Sequence, residues 1–315
     1  MKTLFLKSGL AIFIFATFLF TIVSCTQSAA TPELEPAVVN NITGTVVDQL
    51  NVPQANVQIQ VGSETTTTSV SGTYSINSGG NADGFVYLTA KKSGFIEGSK
   101  TFRFSPNTTF NVKVMLVSNT VTSTISTGVE STVTLANGTR VKFPKFYVDQ
   151  NNAPYEGLVS VSMYQLLESN TNKKLVNYGF VLNNNGSIIE RKLKVFGTII
   201  IEMKGSSGQL LDIDNYSTFK ATLVLENNQL QNTPGSIEML FFDDVNGYWR
   251  PSGSAITPLN SDGSVIGNER KGTSVAKANR YNFSRSNRKG GIIFVGDGDR
   301  NTDLNTEMGV TATKK

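Results

Sequence analysis

This 315-residue chain has no histidine and a single cysteine, so carboxylates, Lys, Tyr and Ser/Thr are the side chains that remain for catalysis. One acidic segment places oxygen ligands at alternate positions, as a calcium loop does. Its candidate ligands are Asp297, Asp299, Asn301 and Asp303. Calcium requires several such oxygens at about 2.3–2.6 Å. Position six is Thr302 instead of glycine and position twelve is Met308 instead of glutamate, so a solvated acidic turn is the alternative.

Two carboxylate pairs are candidates for hydrolysis of a glycoside, which needs two carboxyl groups about 5–9.5 Å apart. Asp243 and Asp244 are adjacent, so in a strand they point to opposite faces. Asp212 and Asp214 could share a face, but they lie near a glycine-rich turn. Turn-stabilising roles explain both pairs better than catalysis does. A carboxylate-based hydrolase is therefore the least favoured function.

The composition excludes several other classes of protein. Without histidine there is no Ser-His-Asp triad, no Cys-His pair and no HExxH metal site. Without the first 24 residues, which include Lys2 and Lys7, 26 basic and 24 acidic side chains remain, a net charge of +2. This small excess does not indicate a nucleic-acid-binding surface. We therefore expect a non-enzymatic protein without a cofactor, calcium being the one ion considered.

The N-terminus has the pattern of a signal peptide. Lys2 and Lys7 precede an apolar run from Leu10 to Val23, whose 14 residues are fewer than the roughly 20 that span a bilayer. The sequence Ile22-Val23-Ser24-Cys25 resembles the lipobox of bacterial lipoproteins. The resemblance implies cleavage after residue 24 and lipidation of Cys25, with two or three acyl chains as a stable membrane anchor. The alternative is an ordinary secretory signal with an incidental cysteine.

Residues 25–40 are small and polar and contain two prolines, which predicts a flexible tether behind the acylated cysteine. In Bacteroidetes lipoproteins, an acidic run directly after the acylated cysteine favours surface export. Residues 26–29 contain no such run. We therefore expect an outer-membrane anchor in the cell envelope, with the periplasm-facing leaflet favoured.

Residues 41–118 are predicted to form an antiparallel β-sandwich. Val57, Ile59 and Val61 alternate with glutamines, and Gly72 marks a tight turn. Four segments of this region resemble the carboxypeptidase-regulatory-like domain, which has a transthyretin-like sandwich fold and is widespread in Bacteroidetes. They are residues 44–48, 53–57, 71–76 and 92–95. The resemblance implies a module that is not itself catalytic.

Residues 119–260 are predicted to form a second antiparallel sandwich. Asn137-Gly138 lies in the strongest hairpin pattern, which spans 131–143, and Asn246-Gly247 precedes Tyr248-Trp249. Residues 133–143 and 242–249 resemble an extracellular sandwich module of the cartilage intermediate layer protein type, which implies a scaffold role. We expect alternation to bury one of the pair Tyr248 and Trp249, namely Trp249. A sugar-stacking platform formed by Trp249 with Tyr248 is the alternative.

Residues 261–315 are polar and basic early on, from Arg270 to Lys289, with one expected strand at 292–295 and a frayed end at 311–315. The basic stretch could contact anionic lipid or polymer, but a solvated connection explains it better. The sequence thus predicts an all-β, lipid-anchored envelope protein that serves as a structural or binding module for a protein or glycan partner. A carbohydrate-binding surface lipoprotein is the first alternative.

Overall fold

The computed structural model describes residues 40–78, 84–166, 179–182, 186–214, 217–223, 236–256, 272–277, 289–297 and 310–314. All regular structure within these ranges is β-strand, which confirms the predicted all-β fold class. The same ranges hold no helix with the length and apolar character needed to cross a membrane. The described residues belong to one compact unit.

Two sheets form the first sandwich. Its strands are β1 (Asn40–Asp48), β2 (Gln58–Val61), β3 (Glu64–Thr67), β4 (Thr73–Ser78), β5 (Phe85–Lys91), β6 (Phe95–Ile96), β7 (Gly98–Arg103) and β8 (Thr108–Ser118). One sheet contains β8-β1-β4 and the other has the order β3-β2-β5-β7. The pairings are antiparallel except that β1 runs parallel to β8. The predicted alternation is confirmed, since Val57, Ile59 and Val61 are buried in the core.

The turn at Gly72 depends on glycine for two reasons. Its φ is +74°, as the turn pattern predicted. A β-carbon at this position would also lie 2.8 Å from the carbonyl oxygen of Val46, which accepts a backbone hydrogen bond from Gln54. A side chain at position 72 would therefore strain the turn and push against β1.

The second sandwich is built mainly from one large sheet. The next strands are β9 (Ser123–Ser126), β10 (Ser131–Thr134), β11 (Arg140–Phe143), β12 (Tyr147–Val148), β13 (Pro154–Tyr155), β14 (Leu158–Leu166), β15 (Phe180–Leu182), β16 (Ile188–Glu190), β17 (Leu193–Lys204), β18 (Asp212–Ile213), β19 (Thr218–Leu223), β20 (Ser236–Asp243), β21 (Tyr248–Ile256), β22 (Gly272–Lys277) and β23 (Lys289–Asp297). The predicted hairpin at 131–143 is confirmed as β10 and β11.

The large sheet has the order β10-β11-β19-β22-β21-β20-β23-β17-β14-β9, with β15 and β16 attached. Its core joins Val133, Val141 and Ala221 from one end of this order with Val161 and Ile199 from the other. The two ends of the sheet therefore pack against each other around one apolar core. A small separate sheet has the order β13-β12-β18.

The C-terminal region contains more structure than its sequence indicated. The predicted strand at 292–295 is confirmed within β23, which pairs with β17 and β20. Two further strands are present, β22 and β24 (Val310–Lys314). The expectation of a frayed end is wrong for 311–314, because β24 pairs antiparallel with Thr108–Val112 of β8. Because β8 and β24 are far apart in the sequence, no local pattern of residues predicts that they pair.

Side chains cross the predicted boundary at residue 118. The rings of Phe85 and Phe180 lie 5.6 Å apart, and Tyr248 belongs to the core of the first sandwich. The Tyr87 hydroxyl donates a hydrogen bond of 2.6 Å to the carbonyl oxygen of Asp244, and the Thr101 hydroxyl donates one of 2.5 Å to that of Gly247. The two sandwiches are therefore joined by a packed contact.

Candidate functional site

The small sheet β13-β12-β18 borders a cleft of about 440 Å³. In the described part of the chain, its aromatic and polar lining comprises Thr127, Phe146, Tyr147, Tyr155, Glu156 and Asp214. These residues come from four separate segments of the second sandwich. Sequence reasoning did not identify this cleft, although it did single out Asp214.

A tight hairpin holds one wall of the cleft in place. The Asp149 carboxylate accepts hydrogen bonds from the backbone amides of Asn151 (2.8 Å) and Ala153 (2.9 Å). Asn152 has φ = +62°, a conformation that asparagine tolerates better than most residues. The hairpin pairs Val148 with Pro154, which fixes β13 against β12. The wall is therefore preorganised by local bonds.

The same hairpin occurs in the first sandwich, and its sequence repeats. Residues 47–53 and 148–154 share the pattern Val-Asp-Gln-x-Asn-x-Pro. Asp48 accepts from the amides of Leu50 (2.8 Å) and Val52 (2.9 Å), and Asn51 has φ = +64°. This repeat is the sequence signal that could have located the cleft wall.

Aromatic residues form both the floor and the rim of the cleft. Tyr147 is buried, its hydroxyl donates to the Pro144 carbonyl oxygen (2.9 Å), and burial raises the pKa of its phenol. Tyr155 is half-buried, and its hydroxyl donates to the Leu158 carbonyl oxygen at 2.8 Å. Phe146 is 58% exposed. Both tyrosines are thus held by hydrogen bonds to the backbone, while the Phe146 ring is open to solvent.

Two carboxylate residues, Asp214 and Glu156, also line the cleft. The backbone amide of Asp214 donates to the Phe146 carbonyl oxygen at 3.3 Å, which places these residues side by side. Glu156 is exposed and follows Tyr155 on the other wall. This arrangement offers an apolar ring face together with hydrogen-bond acceptors, a combination that suits a ligand with apolar faces and hydroxyl groups.

The structure does not bring the predicted carboxylate pairs together in this cleft. Asp212 is half-buried on β18 and is absent from the cleft lining, whereas Asp214 lines it. Asp243 is buried at the end of β20. It accepts hydrogen bonds from the amides of Val245 (3.2 Å) and Asn246 (3.0 Å) and from Arg250 Nε (2.7 Å). Asp243 therefore stabilises a turn, as the turn interpretation predicted.

Trp249 is 4% exposed, and its predicted burial is confirmed. Its ring lies 5.0 Å from that of Phe242, in a cluster with Val181 and Leu240. Tyr248 is also buried, in the core of the first sandwich. The expectation that only one of the pair turns inward is wrong, because β21 is covered on both faces. Neither ring can serve as an exposed sugar platform.

The remaining predicted site residues stay untested. Cys25, Asp299, Asn301 and Asp303 lie outside the described residues, as does most of the basic stretch 270–289. Asp297 ends β23. Within the described ranges, no group of three Asp, Glu, His or Cys side chains could hold a metal ion.

Comparisons with known proteins assign no family. No family model matches the chain, and no curated protein matches it. Among solved structures, the streptococcal ancillary pilin is similar at a TM-score of 0.21 and 11% identity, over 74% of this chain and 62% of that one. BcpA, the major pilin subunit of Bacillus cereus, is similar at a TM-score of 0.22 and 10% identity, over 78% of this chain and 96% of that one. Similarities of this size carry no functional argument.

Proposed function

We propose that this protein is a non-enzymatic binding module of the cell envelope, anchored by lipid on Cys25 and able to hold a ligand in the cleft between β12, β13 and β18. The observation that supports it is the distribution of carboxylates. Asp243 is engaged in a turn, and the cleft receives Asp214 without Asp212. The cleft therefore has contact surfaces for a ligand, including Glu156 and Asp214, but holds neither of the predicted pairs, Asp243 with Asp244 or Asp212 with Asp214.

The anchor is tested by Cys25→Ser, with Thr26→Ser as the matched control that leaves the lipobox intact. Cells expressing each variant are fractionated, and the membrane pellet is washed at alkaline pH. We expect the control to stay in the pellet and the Cys25 variant to leave it, because acyl chains at Cys25 would supply the membrane affinity. A mature-sized Cys25 variant that resists the wash contradicts the lipid anchor.

A glycan is the ligand class that the cleft favours, rather than a protein. The exposed Phe146 ring can stack on the apolar face of a sugar, while Glu156 and Asp214 can accept hydrogen bonds from its hydroxyl groups. Most of the ring is already accessible, so such a ligand could dock without unfolding any strand. The hydroxyl-rich, half-apolar surface of a polysaccharide matches this lining.

The glycan hypothesis is tested by calorimetric titration of neutral and acidic polysaccharides and soluble peptidoglycan fragments. Phe146→Ala should abolish binding without lowering the melting temperature, since the ring is exposed. Val245→Ala, an equally exposed apolar residue outside the cleft lining, is the control and should bind normally. Equal binding by both variants excludes the cleft. Release of reducing sugar during the titration would instead support the hydrolase.

A further inference from the structure

The strand β24 covers the edge of β8 at residues 108–112 in the first sandwich. Leaving this edge unpaired would cost free energy. β24 pairs with residues 108–112 of β8, while the opposite edge of β8 pairs with β1. In this part of β8, Thr108, Phe110 and Val112 are all buried, and the last two belong to the core. Removing β24 would leave backbone amides and carbonyls of β8 unpaired beside an apolar core.

The connectivity of β24 allows it to be replaced by an identical strand. β24 is the outermost strand of its sheet, and β8 is its only partner among the described strands. No described strand follows β24 in chain order, so β24 can leave β8 without drawing another described strand with it. Residues 310–314 of a second copy would pair with β8 in the same five-residue ladder. The pairing within one chain and the pairing between two chains therefore form the same main-chain hydrogen bonds.

We infer that the 108–112 edge of β8 is an acceptor site for a β-strand, and that its partner is the C-terminal strand of a second copy of this chain. Antiparallel addition of an extended segment to a sheet edge draws its affinity from main-chain hydrogen bonds. The balance between the two pairings then depends on protein concentration, because a higher concentration favours only the pairing between two chains. The acceptor edge thus links copies of the protein through one shared sheet.

The experiment uses the register of the ladder, in which Asn111 lies opposite Thr311. Asn111→Cys and Thr311→Cys are made separately in residues 26–315, a chain that lacks Cys25 and so has no native thiol. Opposed residues of an antiparallel pair lie about 4.5–5.5 Å apart between α-carbons, within disulfide range. The two variants are mixed at rising concentration and oxidised. A mixture of Asn111→Cys with Val70→Cys, whose side chain is almost fully exposed, measures random collision.

We expect a disulfide-linked heterodimer whose yield rises with concentration and exceeds that of the collision control. As a second readout, a chain truncated after residue 309 should bind a synthetic peptide of residues 308–315. The inference is overturned if the mixed variants give no dimer above the control while the double variant Asn111→Cys/Thr311→Cys closes within one chain. That result would show the strand to be permanently intramolecular, whether or not the truncated chain folds.

Discussion

Gly247 in the β20–β21 turn lies against the ring of Tyr87 on β5, so that a β-carbon at position 247 would overlap the ring and lie 2.8 Å from Thr101 Oγ1. The same turn accepts the hydrogen bonds from Tyr87 and Thr101. A glycine predicted for its turn conformation therefore also allows the two sandwiches to touch.

We predict that Gly247→Ala destabilises the protein more than Gly208→Ala does. Both glycines have φ = +79°, so both variants incur the strain of a left-handed conformation, about 1–3 kcal/mol. Only at Gly247 would the new methyl group meet another segment, since nothing lies within 4 Å at Gly208. Urea denaturation measures both. Equal losses would mean that the Tyr87 contact adjusts without cost.

We predict that Asp149→Ala loosens the cleft wall and lowers the free energy of unfolding by about 1–3 kcal/mol, because two amides lose a charged acceptor. Asp48→Ala should cost at least as much in the first sandwich, where Asp48 accepts the same two backbone bonds and a third from Gln54 Nε2 at 3.0 Å. Only the Asp149 variant should weaken ligand binding in the cleft. Chemical denaturation and titration together separate these effects, and equal binding by the two variants would count against the cleft as the binding site.

We predict that Trp249→Ala unfolds more readily by about 3–5 kcal/mol, the usual cost of truncating a buried tryptophan. The native protein should show blue-shifted emission, and the signal is clean because the sequence has one tryptophan. Trp249→Phe should recover much of the loss, since it keeps an aromatic contact with Phe242. Water-like emission with an unchanged melting temperature would contradict the buried position.

We predict a rise in stability with pH below about 10.5 that depends on Lys100. Lys100 is fully buried, and burial lowers its pKa well below the usual 10.5. The unfolded chain therefore binds the Lys100 proton more tightly, so raising the pH favours the folded state. Lys100→Met should remove this rise and be more stable at neutral pH. Urea midpoints between pH 7 and 10 measure both slopes, and identical slopes would show that Lys100 contributes nothing.

Above about pH 10 we predict the opposite trend. Burial raises the pKa of Tyr74 and Tyr87 far above the ordinary value of 10.0, with the Asp244 charge adding to the effect at Tyr87. Unfolded tyrosines then release protons that the folded protein retains, so stability falls as pH rises. Tyr74→Phe should reduce the fall, although it loses the hydrogen bond to the Val112 carbonyl oxygen. An unaltered fall in this variant would exclude Tyr74 as a contributor.

Local patterns in the sequence determined the all-β class, the alternation at Val57–Val61, the 131–143 hairpin and the turn at Gly72. These features depend on side-chain period and on backbone preferences within a few residues, so they can be read without knowing the neighbours. The burial of Trp249 was predictable for a related reason, because a large ring in a strand gains most from leaving water.

Only the tertiary structure decided which strands are neighbours. It placed β24 beside β8, covered β21 on both faces so that Tyr248 is buried with Trp249, and assembled the cleft from segments around Thr127, Phe146, Tyr155 and Asp214. Each of these outcomes depends on contacts between residues far apart in the chain. Such contacts form when buried area and hydrogen bonds offset the entropy of closing long loops, a balance that no local pattern of residues records.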